Sequence, residues 1–146
     1  MEWTRDSYLL VDDQARVDVD AVHAFLTTSY WAEGVPREVV ERSVQGSLCF
    51  SLFLGDEQVG FVRAITDSAT FAYLCDVYVL PAHRGRGLAR WMIASLAEHP
   101  RLRSLRRWLL ATRDAHGLYE KLGFTPLSAP ERFMERLNRD GYRPRS

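Results

Sequence analysis

Lysine is nearly absent: of nineteen basic residues only Lys121 is a lysine, and the rest are arginine. A Walker A loop, G-x-x-x-x-G-K-[ST], needs its lysine inside the glycine turn, and Lys121 stands far from the glycine-containing turn of this chain, so an ordinary P-loop is excluded. Cysteine is also scarce. Cys49 and Cys75 lie in apolar, strand-like runs, and no C-x-x-C or Cys/His cluster gives metal-ligand spacing. Two buried free thiols and no metal are expected. Net charge is absent as well: nineteen acidic residues cancel the nineteen basic ones, which excludes a whole-surface positive field for holding nucleic acid. No apolar run approaches the roughly 18 residues of a membrane span, and the opening MEWTRDSYLLV lacks a basic stretch followed by a long apolar one. A cytoplasmic protein, with neither nucleic acid nor membrane as partner, is the expectation.

What is present fits one globular unit. A length of 146 residues, 47% hydrophobic and 26% charged, suits a single domain spanning 1–146 with one sizeable core. Tyr8 to Val11 reads as a strand, and Val19 to Leu26 reads as a helix from the spacing of Val19, Val22, His23 and Leu26. The segment 29–36, SYWAEGVP, combines aromatic and turn residues, and Pro36 opens a second helix to about Val44. Leu48–Leu54 and Val59–Thr66 form a hairpin across Gly55–Gln58, and Thr70 to Leu80 is a third strand of that meander. A helix over about Arg86–Ala97, a strand over about Arg106–Ala111, a helix over about Asp114–Leu122 and an extended segment from Phe124 follow. The pattern predicts an α+β fold, with a last edge strand at Phe133 to Leu137 and frayed terminal residues. Arg101, Arg103, Arg106, Arg107 and Arg113 crowd one region, which reads either as a solvated face or as an attraction for a ligand's phosphates.

The most informative stretch is Val77 to Arg90, VYVLPAHRGRGLAR. An apolar strand breaks at Pro81 and passes through a glycine turn into a helical pattern, so it delivers a helix N-terminus whose first N–H groups lack intrahelical partners and favour an anion. A dinucleotide fingerprint G-x-G-x-x-G is only half met, because Arg90 takes the place of the third glycine after Gly85 and Gly87. Arg84, Gly87 and Ala89 instead give R-x-x-G-x-A, in which Gly87 brings bare backbone to a ligand.

That spacing, after a V-x-V-x-P strand end, resembles the acetyl-CoA pyrophosphate loop of the GNAT superfamily of N-acetyltransferases. A second match supports it: Ala115 to Phe124, AHGLYEKLGF, resembles the A-x-x-L-Y-x-K-x-G-F segment that closes the cofactor site there. The resemblance covers roughly residues 48–128. It implies a three-layer α/β arrangement within the α+β class, a mixed central sheet of six to seven strands flanked by about four helices. An acceptor-shaping part over about 1–47, an acetyl-CoA-binding core over 48–128 and a C-terminal edge segment over 129–146 are implied. So is an acyltransferase moving an acetyl group from acetyl-CoA directly to an amine, a small molecule by first expectation, with a homodimer common among relatives. The alternative is a silent acyl-CoA-binding sensor or interaction module.

By the same resemblance, the pyrophosphate lies against Arg84, Gly85, Arg86, Gly87, Leu88, Ala89 and Arg90. The pantetheine arm lies along the backbone of Val77, Tyr78 and Val79, where main-chain groups imitate sheet pairing. Tyr119, in the L-Y pair, both borders the cofactor and gives a proton or hydrogen bond to the departing thiolate. A backbone N–H at the end of the 73–79 strand would serve the carbonyl oxygen. The incoming ammonium must lose a proton, yet Cys75 stands where many relatives carry glutamate. Asp76 and Glu33 are the carboxylates at hand, or a water chain acts instead. Strand alternation sends Asp76 to the face opposite Cys75 unless a bulge intervenes. Thr112 replaces an asparagine common in relatives, and Asp114 suits a first-turn acid. Tyr30, Trp31 and Tyr73 are candidate walls of an acceptor pocket or core aromatics. His83 and His116 read as satisfied polar residues, and no Ser-His-Asp spacing occurs.

Overall fold

In the computed structural model, which describes residues 1–142, six strands form one sheet in sequence order. They are β1 (Glu2–Arg5), β2 (Tyr8–Val11), β3 (Leu48–Leu54), β4 (Glu57–Thr66), β5 (Phe71–Val79) and β6 (Arg107–Leu110). The first five run antiparallel to their neighbours and β6 pairs parallel to β5, so the sheet is mixed. Four α-helices complete the described fold: α1 (Val19–Leu26), α2 (Arg37–Gln45), α3 (Leu88–Ala97) and α4 (His116–Glu120). Asp18 caps α1 by accepting from the Ala21 N–H at 3.0 Å. The position before α2 is Pro36, which fixes the approach to that helix.

Two cores, one on each face, explain the strand sequences. Leu10, Phe50, Leu52, Val62, Ala72 and Leu74 pack under Met92, Ile93 and Leu96 of α3. On the other face Cys49, Phe61 and Tyr78 meet Val22, Leu26, Val40 and Val44 of α1 and α2. Strand β3, LCFSLFL, is buried at all positions but its last, which is why it reads as a continuous apolar run rather than an alternating one.

The structure departs from the sequence expectations at both ends. β1 is exposed at three of its four positions, so it carries no apolar pattern; it pairs with β2 through a tight turn in which Asp6 has φ 53°. The expected strand at Phe133–Leu137 does not form. Pro126 and Pro130 supply no N–H for a ladder, a short 3-10 turn occupies Pro130–Arg132, and Phe133 lies against the Arg107 guanidinium at 5.4 Å. The expected fraying of the last residues falls outside the described residues from 143 onward. Helix α3 starts at Leu88, two residues later than the pattern suggests, because Gly87 precedes it in the left-handed region at φ 73°.

Strand β5 positions the site. Its pairing with β6 stops at Leu74 opposite Leu110, and from Cys75 to Val79 it has no partner on that side. Against β4, Phe61 pairs with Tyr78 and Arg63 with Cys75, so the single residue Val62 faces both Asp76 and Val77. This is a bulge. Asp76 takes it up at φ 52°, a left-handed conformation uncommon outside glycine.

Candidate active site

The bulge reverses the alternation of β5. Cys49, Arg63 and Cys75 are successive cross-strand partners and share the α1–α2 face, while beyond the bulge Tyr78 returns to that face and Val77 and Val79 pack toward α3. Asp76 therefore joins Cys75 on one face, and its carboxylate enters a network of side chains. Arg63 Nε donates to Asp76 Oδ2 at 2.7 Å and Trp31 Nε1 donates to Oδ1 at 2.9 Å. Arg63 Nη1 also donates to Ser47 Oγ at 3.0 Å. Both partners of the Arg63–Asp76 pair are largely buried, with side-chain exposures of 15% and 8%.

Around this network opens a cleft of about 590 Å³, at the place where β5 and β6 part. Tyr73, Cys75, Asp76 and Val77 supply one wall, Thr112 to Ala115 and Tyr119 another, and Tyr30, Trp31 and Ala32 of the α1–α2 loop the third. The mouth is bridged. The Arg113 N–H donates to the Tyr30 hydroxyl at 3.2 Å, and the Arg113 guanidinium lies 3.9 Å from the Tyr30 ring centroid. Tyr30 in turn meets Trp31 edge to face at 5.1 Å.

Tyr119 reaches the cleft from α4. Thr112 Oγ1 accepts from the Ala115 N–H at 3.1 Å and so organises the start of that short helix; the expected first-turn role of Asp114 is not taken up, since Asp114 is exposed and reaches only Arg113, at 3.8 Å. The Tyr119 ring packs edge-on against Phe124 at 5.8 Å and is 9% exposed. Burial, with nearby Tyr30 adding, pushes its phenol up to about 12, so it stays protonated across the ordinary working range.

At the far end of β5 lies the glycine turn expected from the sequence to meet phosphates. A hollow of about 140 Å³ is bounded by Val79, His83, Arg84, Gly85, Gly87 to Arg90 and Leu118. Gly85 has φ 80°, and a Cβ built on it would project into open space. The carbonyl of Gly87 accepts from Trp91 N at 3.0 Å, leaving the N–H groups of Leu88, Ala89 and Arg90 without helical partners. The residues present fit a pyrophosphate: bare backbone, free donors and no acidic side chain on the rim. Arg84 does not point its Nε at this space but donates to the Val79 carbonyl at 2.9 Å. Two further residues come here from β1 and β2, more than seventy positions away in sequence. Arg5 Nη1 donates to the Gly87 carbonyl at 3.3 Å, and the Tyr8 hydroxyl is 2.8 Å from His83 Nδ1.

Residues 10–124 match the acetyltransferase (GNAT) family. The chain belongs to the GNAT acetyltransferase family. A Gibberella zeae protein that carries an acetyltransferase name, FG08082, is 38% identical over 140 residues, covering 82% of this chain and 79% of that protein. A solved structure from Xanthomonas campestris pv. campestris, assigned to the same family, shares 43% identity over 92% of this chain and 96% of its own, with a TM-score of 0.89. A Clostridium acetobutylicum structure solved with acetyl-CoA shares the fold, at 16% identity, 90% and 94% coverage and a TM-score of 0.63.

Within this GNAT frame the sequence-predicted residues divide. Tyr30, Trp31, Tyr73, Asp76, Val77 and Tyr119 line one cleft. Glu33 is exposed and is not among the residues lining it. Tyr78 keeps only its backbone at the strand edge, because its ring is stacked on Phe25 at 3.9 Å in the α1–α2 core. Of the turn residues, Arg86 does not line the hollow. Cys49 is buried as expected, but Cys75 is only partly buried and borders the cleft. Desolvation pushes the Cys75 thiol up to about 12, so it is not a thiolate nucleophile. The arginine cluster does not gather at the glycine turn. Arg101 donates to Ser68 at 2.9 Å and the Arg107 N–H to Thr70 at 3.3 Å, both at the opposite end of β5. Arg63 is a cleft residue that sequence reasoning missed, since it stands in an ordinary strand with no local signal, and Arg113, read from the sequence only as one of an arginine cluster, lines the cleft instead of meeting phosphates at the turn.

Proposed function

We propose that this chain transfers the acetyl group of acetyl-CoA directly to the nitrogen of a small-molecule amine, both substrates being bound together. The observation that carries the reading is the position of Tyr119: it borders the cleft where β5 loses its partner, on α4, the short helix that follows β6. Leu88, Ala89 and Arg90 would hold the pyrophosphate through backbone N–H groups, and the unpaired edge of Val77, Tyr78 and Val79 would hold the pantetheine arm. Acetyl-CoA supplies an activated thioester carbonyl.

The residues then have separable tasks. Backbone donors on the free edge of β5 stabilise charge on the carbonyl oxygen. Tyr119 donates a hydrogen bond to the departing sulfur. Its phenol, at about 12, is a weaker acid than a thiol at about 8.5, so it holds its own proton until charge on sulfur has grown. Asp76 shapes the cleft through Arg63 and Trp31: with both oxygens engaged it anchors the α1–α2 loop to the bulge.

The test is free CoA thiol released from acetyl-CoA across polyamines, aminoglycosides, arylalkylamines, arylamines, amino acids and N-terminal peptides, with Tyr119→Phe alongside. Acceptor-dependent release that drops in the variant is expected. Acetyl-CoA bound but never consumed would leave a silent acyl-CoA-binding module instead.

A further inference from the structure

We infer that the acceptor is an arylamine, an aromatic amine already neutral at neutral pH, and not an alkylamine or polyamine. The inference rests on the transferase reading above and names the substrate class of the same cleft. It follows from what the cleft offers a nitrogen and what it offers the rest of the molecule.

A charged alkylammonium needs a carboxylate to receive it and a base to deprotonate it. At pH 7 an amine with a pKa near 10 is neutral in only about one molecule per thousand, so the site would have to do this work. The charged and titratable groups facing the cleft do not suit it. From β4 comes Arg63, a cation; from β5 come Tyr73, Cys75 and Asp76; from the β6–α4 loop come Arg113 and Asp114; from α1–α2 and α4 come Tyr30 and Tyr119. Asp76 already accepts from Arg63 and Trp31, and Asp114, 67% exposed, faces Arg113. Burial raises the Tyr73 phenol and holds the Cys75 thiol at about 12, so neither is a base near neutrality. Glu33 is exposed outside the cleft, and His116, also exposed, borders the neighbouring groove along β6. Two arginines and no carboxylate free of a partner make a poor seat for a third cation.

The same cleft is well made for a flat, apolar ring. Trp31, 41% exposed, and Tyr73 present ring surface to it from two different elements. Trp31 is fixed in orientation by its bond to Asp76 and by contact with Phe25 at 6.2 Å. Rigid aromatic walls favour aromatic ligands through stacked or edge-on contact. The lone pair of an arylamine needs no prior deprotonation. The nitrogen attacks the thioester carbonyl, the carbon–sulfur bond breaks, CoA leaves with the electron pair, and the nitrogen gives up one proton to water after the new bond has formed.

The experiment compares 4-methoxyaniline and 4-aminobenzoate with phenethylamine and spermidine, by thiol release at saturating acetyl-CoA from pH 6 to 9. We expect kcat/KM for at least one arylamine to exceed that for phenethylamine at pH 7 by tenfold or more and to vary less than threefold over the range. Trp31→Leu should raise the arylamine KM at least fivefold with the acetyl-CoA Kd unchanged, and Trp31→Phe, which keeps a ring but loses the bond to Asp76, should recover most of that loss. Preference for phenethylamine or spermidine at pH 7 would overturn the arylamine assignment and leave the transferase standing. Acetyl-CoA binding with no release from any amine would overturn both.

Discussion

The two ends of the unpaired half of β5 solve different problems with different materials. At Val79 and beyond, the glycine turn is made of backbone: free N–H groups at the start of α3 and two glycines with positive φ. Around Asp76 the cleft is made of side chains drawn from β4, β5, the α1–α2 loop and the β6–α4 loop. Backbone donors serve any anion of the right shape. Side chains can be exchanged one at a time, so this is where two members of one family can differ in acceptor while keeping the same co-substrate.

Removing a cation from the cleft should produce the largest effect. Arg63→Met would leave the Asp76 carboxylate buried with only the Trp31 N–H beside it, and losing one partner of a buried pair costs about 3 kcal/mol or more. Urea denaturation should show that loss, and Arg63→Met with Asp76→Leu should recover most of it. A single variant as stable as the parent would mean that the pair does not anchor the loop. Next in size is Tyr119→Phe, which keeps the packing on Phe124 and removes the hydroxyl. A fall in kcat of about 10²-fold with little change in acetyl-CoA affinity is expected for loss of a donor used mainly in the transition state. An unchanged kcat from pH 6 to 9 would move the task away from Tyr119.

The difference in materials also explains what was legible in the sequence. The turn is local: the stretch from Val79 to Arg90, with the R-x-x-G-x-A spacing inside it, contains every residue that bounds the hollow except Leu118. The meander was legible because β3, β4 and β5 are long and largely apolar. The cleft was legible only in its aromatic residues. Its ion pair joins Arg63 to Asp76 through a bulge that the sequence does not announce, since aspartate visits a left-handed φ only occasionally and its place in a strand does not single it out for one. Tyr30 and Arg113 are 83 positions apart. Likewise β1 was missed because an exposed edge hairpin has no apolar period to detect, and the strand over Phe133–Leu137 was expected from apolar residues whose backbone is interrupted upstream by proline.

Within the turn, a change to the backbone should outweigh a change to a side chain, which gives the comparison its sharpest test. Gly87→Val places a β-branched residue at φ 73°, a conformation that costs roughly 1–2 kcal/mol, and calorimetry should show acetyl-CoA binding weakened about tenfold or more. Arg84→Met is the smaller change. Although Arg84 opens the motif, its Nε is spent on the Val79 carbonyl at 2.9 Å, so the variant loses one hydrogen bond of about 1 kcal/mol that holds the turn and leaves every backbone donor in place. A three- to fivefold rise in the acetyl-CoA Kd is expected. A loss for Arg84→Met equal to or above that for Gly87→Val would reverse the argument: the guanidinium would then leave Val79 to meet the phosphates itself, and the turn would be a side-chain site like the cleft.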